Sequence, residues 1–148
     1  MIEFIQGGVY EDDRGQIRFV NDFDMTRIKR FYIIKNKDTE LIRGWRAHRI
    51  EKRWFYVVSG SFTVQFVKID SWEAPSRELE VKKEQLDATH NKVLYIPDGY
   101  GTAFKALEPE SELIVFADFG IDHAKSDDYT FPLDYFVNSN DQEFDKPS

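Results

Sequence analysis

Short apolar segments, roughly four to eight residues long, recur along the whole chain between Gly, Asp, Asn and Pro, and no long stretch keeps a helical period. Val, Ile, Phe and Tyr dominate these segments, and such side chains suit a pleated, half-buried surface. Strands are predicted over Ile2 to Val9, Gln16 to Asn21, Ile28 to Lys35, Glu40 to His48, Trp54 to Val58, Phe62 to Lys68, Arg77 to Val81, Lys92 to Ile96, Thr102 to Leu107 and Glu112 to Phe116. Gln85 to Asn91 reads as a helical turn, and Ser71 to Ser76 and Asp98 to Gly101 read as loops. The clearest hairpin runs from Trp54 to Phe66, with Ser59-Gly60 as its turn and Phe62, Val64 and Phe66 alternating onto one face. So many short strands in one open sheet would leave exposed edges, so the chain is expected to curl into an all-β barrel or two packed sheets.

A chain of 148 residues with 41% hydrophobic residues, 13 Phe and 7 Tyr has enough apolar mass for one domain with a sizeable core. That domain is expected over residues 1–137. The polar end, 138–148, is expected to be a flexible tail, and Tyr129, Phe131, Tyr135 and Phe136 just before it are expected to dock on the barrel. There is no cysteine, hence no disulfide and no thiolate metal ligand. No long uncharged apolar run appears, and Met1-Ile2-Glu3-Phe4 lacks the basic start of a secretory signal, so a cytoplasmic protein without a membrane segment is expected. The net charge of −7 is unevenly spread: residues 14–53 carry 12 Lys and Arg against 5 Asp and Glu, and the remainder carries 8 against 22. An acidic whole disfavours a nucleic acid backbone, whereas a local cluster of arginines suits a small anion such as a diphosphate.

Several short motifs fall in a characteristic order: Asp13-Arg14-Gly15, Ile28-Lys29-Arg30-Phe31-Tyr32, Ile42-Arg43-Gly44, Val57-Val58-Ser59-Gly60, Ile96-Pro97-Asp98-Gly99-Tyr100 and Ala117-Asp118-Phe119. In this order and spacing the chain resembles the RmlC-like cupins that act on dTDP-linked 4-keto-6-deoxyhexoses without a metal. These are the dTDP-sugar 3,4-ketoisomerases and the dTDP-4-dehydrorhamnose 3,5-epimerases. The resemblance implies a cupin jelly-roll barrel, a homodimer, no cofactor, and a dTDP-sugar substrate held at the barrel mouth, in deoxysugar and polysaccharide biosynthesis. Metal-binding cupins bring three His and a Glu together; here Arg46 stands at the first His position, Thr102 at the last, and Glu51 comes too early. A guanidinium cannot ligate a cation, so no metal is expected.

Carried over by motif, His48 matches the second His of the ketoisomerase His-x-His pair, and Arg46 takes the place of the first. Thr102 replaces a further His, Phe119-Gly120 replaces a Tyr-Tyr pair, and Tyr32 matches a pocket tyrosine. Proton abstraction next to a C4 ketone needs a base tuned near neutrality and a donor for the developing enolate. His48, Tyr32 and Arg46 are therefore the candidate catalytic residues, with Arg14, Arg43, Arg53, Tyr100 and Thr102 as candidate substrate-binding residues. Strand alternation groups Arg46 with His48 on one face and Ala47 with Arg49 on the other. Two functions stay open: an isomerase or epimerase of a dTDP-4-keto-6-deoxyhexose, and a non-catalytic cupin that binds a sugar nucleotide or carbohydrate.

Overall fold

The computed structural model describes residues 1–139. Its strands are β1 (Glu3–Gln6), β2 (Gly8–Asp12), β3 (Gly15–Phe19), β4 (Arg30–Ile34), β5 (Ile42–His48), β6 (Arg53–Ser59), β7 (Ser61–Lys68), β8 (Val81–Asp87), β9 (Lys92–Ile96), β10 (Tyr100–Ala106), β11 (Glu112–Ala117) and β12 (Tyr129–Thr130). One short helix, α1 (Ile121–Ala124), lies between β11 and β12. Two five-stranded sheets form, ordered β1-β9-β6-β11-β4 and β12-β5-β10-β7-β8, and β2 pairs with β3 as a separate ribbon. Every paired neighbour is antiparallel. This is the all-β jelly-roll barrel of the cupin type.

The expected Trp54 to Phe66 hairpin is not one. β6 belongs to the first sheet and β7 to the second, so Ser59-Gly60 is a corner at which the chain changes sheets. Gly60 holds φ +72, and a Cβ there would lie 1.9 Å from Ser111 Oγ, so the corner requires glycine. The packing supplies the reason. Residues 61–67 are buried throughout, which demands cover on both faces of β7. Phe62, Val64 and Phe66 point into the main core with Phe55, Val57, Phe104 and Val115. Val67 points the other way, into a second core with Trp45, Ala47, Ala103 and Phe136.

Tyr129, Phe131 and Tyr135 pack on that second core, so the C-terminal aromatic cluster covers the outer face of the second sheet. Asn138 then donates to the Glu78 and Leu79 carbonyls, and Ser139 to Gln65 Oε1. The rest of the expected tail, 140–148, lies outside the described residues. Two further expectations need correction. The strand expected at Arg77 to Val81 is β8, four to six residues later, and it takes the first three residues of the stretch read as a helical turn, Gln85 to Asp87, leaving Ala88–His90 as a 3-10 turn. β8 is an edge strand whose sequence, Lys82-Lys83-Glu84-Gln85, shows no apolar alternation, and its one buried residue is Leu86. Among the described residues no helix is long and apolar enough to cross a membrane.

Candidate active site

A cavity of about 490 Å3 lies between β4 and β5, with walls completed by β6, β10 and β12. Its position follows from a bulge. β5 pairs with β10 through Arg46↔Thr102 and Arg43↔Phe104, so three steps on β5 oppose two on β10. An extra residue re-aims side chains, and here it turns both Arg43 and Arg46 to the cavity where strict alternation would separate them. Gly44 makes the bulge possible: it holds φ +151, and a Cβ there would lie 2.4 Å from Ala103 Cβ.

Each arginine of the cavity is held by a different partner. Arg43 Nε donates to Asn36 Oδ1 at 2.8 Å. Arg46 Nε lies 3.0 Å from Asp128 Oδ1. Arg53, buried, donates from Nη2 to Thr102 Oγ1 at 2.9 Å and lies over the Phe55 ring. Tyr32 shares the same cavity, with the Arg30 guanidinium 5.1 Å from its ring centroid. Three guanidiniums face one concave space, and fixed forks of N–H donors have the geometry that matches phosphate and carboxylate oxygens.

His48 is the next inward residue of β5 after Arg46, as alternation required, and it lies beside the cavity without lining it. Its Nδ1 is 2.7 Å from the Asp127 carbonyl. A carbonyl only accepts, so Nδ1 carries the proton and Nε2 keeps the lone pair. Burial first, and then the Arg53, Arg46 and Arg30 charges, push the ring's pKa down to about 3, against the opposing pull of the Asp127 carbonyl. The imidazole is neutral at physiological pH, but a pKa near 3 makes it a far weaker base than the near-neutral one expected for proton abstraction.

Beneath His48 lies a buried ionic cluster that the sequence reading did not find. Glu51 receives Arg30 Nη2 on Oε1 at 3.2 Å, while its Oε2 has no hydrogen-bond partner and lies 3.7 Å from His48 Nε2 and 3.9 Å from Arg53 Nε. Burial raises the Glu51 pKa, against the guanidiniums of Arg53 and Arg30. Asp127, also buried, accepts from the main-chain N–H groups of Arg49, Ile50 and Glu51. In the sequence Glu51 reads only as a metal ligand that comes too early, and Asp127 sits in a polar run 76 to 79 residues away from its partners, where local pattern carries no signal. Among the described residues no three His, Asp or Glu side chains converge to hold a metal ion.

Of the sequence candidates, Tyr32, Arg43, Arg46, Arg53 and Thr102 meet in this cavity, with His48 adjacent. Two do not join them. Arg14 is exposed at the turn of the β2–β3 ribbon, where Asp12 holds it at 2.7 Å. Tyr100 lines a second cavity, of about 450 Å3, together with Phe66, Lys68 and Leu79.

Residues 1–141 match the family described as FdtA: WxcM-like, C-terminal. The chain belongs to this family. No curated protein matches its sequence. Among solved structures it is similar to QdtA, a sugar 3,4-ketoisomerase from Thermoanaerobacterium thermosaccharolyticum in complex with TDP, with 21% identity, 93% of each chain covered and a TM-score of 0.69. It is also similar to ChmJ, a 3'-monoepimerase from Streptomyces bikiniensis in complex with dTDP-quinovose, with 19% identity over 90% of this chain and 71% of that one and a TM-score of 0.70. The rmlC epimerase of Mycobacterium tuberculosis gives 15% identity, 94% and 73% coverage and a TM-score of 0.74. Identities this low establish for this FdtA-family chain the shared cupin fold.

Proposed function

We propose that this FdtA-family protein is an isomerase or epimerase of a dTDP-4-keto-6-deoxyhexose, acting in the cytoplasm in deoxysugar and polysaccharide biosynthesis. One observation carries the reading: a cavity of about 490 Å3 gathers Arg43, Arg46, Arg53, Tyr32 and Thr102 beside a histidine held neutral. Its volume suits a ligand of this size, and its wall mixes apolar surface with convergent donors. The neighbours with the same fold include proteins bound to TDP and to dTDP-quinovose, which supports a nucleotide-sugar ligand.

In this reading His48 Nε2 takes the proton next to the C4 ketone, and the C–H electron pair moves toward the former keto oxygen. Arg46 or the Tyr32 hydroxyl faces that oxygen as charge develops. Arg43, Arg53 and Thr102 hold the anionic and hydroxyl parts of the ligand. For isomerisation the proton returns from His48 to C4 while the C3 hydroxyl proton passes to the former keto oxygen, which moves the ketone to C3; for epimerisation the Tyr32 hydroxyl protonates the same centre from the opposite face, and His48 and Tyr32 regain their starting states by proton exchange with solvent.

A second reading, a sugar-nucleotide binding protein without turnover, is favoured by one feature: His48 stands beside the cavity wall and not on it. Incubation with dTDP-4-keto-6-deoxyglucose separates the two. The isomerase reading predicts a new product by proton NMR, with the ketone moved or a centre inverted. Unchanged substrate in the presence of tight dTDP binding rejects it.

A further inference from the structure

One segment, the end of the β11–β12 connection, touches both inward polar residues of β5. Asp128 Oδ1 lies 3.0 Å from Arg46 Nε, and the Asp127 carbonyl accepts from His48 Nδ1 at 2.7 Å. The Asp127 carboxylate does separate work: Oδ1 accepts from Arg49 N at 2.8 Å, and Oδ2 from Glu51 N at 2.8 Å, with Ile50 N shared between the two at 3.1 Å. Three successive main-chain donors just past the end of β5 thus anchor on one side chain, and the same residue's backbone meets the last side chain of β5. Asp127 is 1% exposed, so this anchor is shielded from competing water.

We infer that Asp127 is a positioning residue for His48: its anchored carbonyl fixes the imidazole in the tautomer with the proton on Nδ1, leaving Nε2 free to accept a proton. The inference rests on the reading of His48 as the base. A neutral imidazole in the other tautomer would carry its proton on Nε2 and have no lone pair to offer at that atom. Among the described residues Nδ1 has this one hydrogen-bond partner, and the contact that opposes it is Glu51 Oε2, 3.7 Å from Nε2, where a carboxylate favours a proton on Nε2. Burial first, and then Arg53 on β6, Arg46 on β5 and Arg30 on β4, keep the ring uncharged against the pull of the Asp127 carbonyl, and that carbonyl also sets where the ring's one proton sits; Glu51 after β5 faces Nε2.

Nitrogen-15 histidine NMR on the full chain tests this, with His48 assigned by comparison with His48→Asn. The wild type is expected to show a single neutral tautomer, protonated on Nδ1, without titration between about pH 5 and pH 8. In Asp127→Ala the carbonyl loses its anchor, so the proton distributes over both ring nitrogens, while the ring stays neutral, because that carbonyl is the contact that opposes the lowering of its pKa by burial and the arginines. Solvent exchange of the substrate is expected to fall roughly 100-fold in kcat, the low end of what a positioned base contributes, with KM unchanged because Arg43, Arg53 and Thr102 are untouched. Asp127→Asn keeps an acceptor oxygen and should lie between the two, and it decides the matter where the alanine variant does not fold. A wild-type ring protonated on Nε2, or a folded variant that keeps the wild-type tautomer, overturns the inference. The spectra need no turnover, so a wild type that fails to exchange substrate rejects the isomerase reading alone.

Discussion

At His48, burial and then the Arg53, Arg46 and Arg30 charges hold the pKa near 3, well below the ordinary 6.5. As pH falls below 6.5 the unfolded chain takes up a proton on this ring that the folded chain refuses until about pH 3. The stability tied to neutral His48 is therefore complete above 6.5 and is lost on acidification through that window, at about 1.4 kcal/mol per pH unit. Urea unfolding at about pH 6.5 and pH 5 should show the wild type losing about 2 kcal/mol more than His48→Asn, and equal losses would contradict it. Glu51, with its raised pKa, acts in the opposite sense above 4.5, and because its Oε2 lies 3.7 Å from His48 Nε2 the comparison also needs Glu51→Gln in both backgrounds. Arg43 offers the cleaner test of ligand binding, because it is exposed and its partner Asn36 is uncharged. By calorimetry Arg43→Ala should bind dTDP one to two decades more weakly, about 1.5 to 3 kcal/mol, with its fold intact. Undiminished affinity would remove Arg43 from the binding role. Arg43, Arg46 and Tyr32 were legible because motifs pointed to them, and for Arg46 the strand period did so as well. Asp127 and Glu51 were not, since their value lies in contacts that only the closed barrel creates.

Among the elements, β5 shows most clearly what pattern alone leaves out. Alternation correctly put Arg46 and His48 on one face, but the bulge that brings Arg43 to the same cavity depends on the fit of Gly44 against Ala103. Gly44→Ala should lower stability by about 1 to 3 kcal/mol in urea unfolding, through overpacking and a backbone conformation that disfavours a side chain. It should also weaken dTDP binding by disturbing Arg43, and a variant as stable and as tight as the wild type would show that the bulge is not needed. The corner at Gly60 teaches the same lesson. Ser59-Gly60 reads as a hairpin turn from its residues, and only the need to bury both faces of β7 makes it a passage between sheets. β8 was misplaced for the converse reason, because an edge strand needs just one buried residue, Leu86, and its charged sequence hides the pairing.

For the whole molecule, the all-β class and the barrel followed from many short strands that need their edges covered, and the structure has that form. Each five-stranded sheet ends in two edge strands, β1 and β4 in the first and β12 and β8 in the second. β4 ends the first sheet and turns Phe31 and Ile33 outward, 61% and 56% exposed, while the β2–β3 ribbon exposes Tyr10 and Ile17. We propose that a second copy covers these surfaces, as a homodimer. Light scattering on a sizing column should give about twice the 17.5 kDa chain mass, and a monodisperse species at 17.5 kDa would contradict it. The central claim is that a neutral His48 beside an arginine-lined cavity moves a proton next to a ketone. It is tested most directly by incubating the protein with dTDP-4-keto-6-deoxyglucose in deuterated water and following C3 and C5 by proton NMR. The account predicts deuterium entering at C3 with the wild type and none with His48→Asn, while dTDP still binds both. Tight dTDP binding by the wild type without exchange at either carbon, or exchange that survives His48→Asn at the same rate, would contradict it.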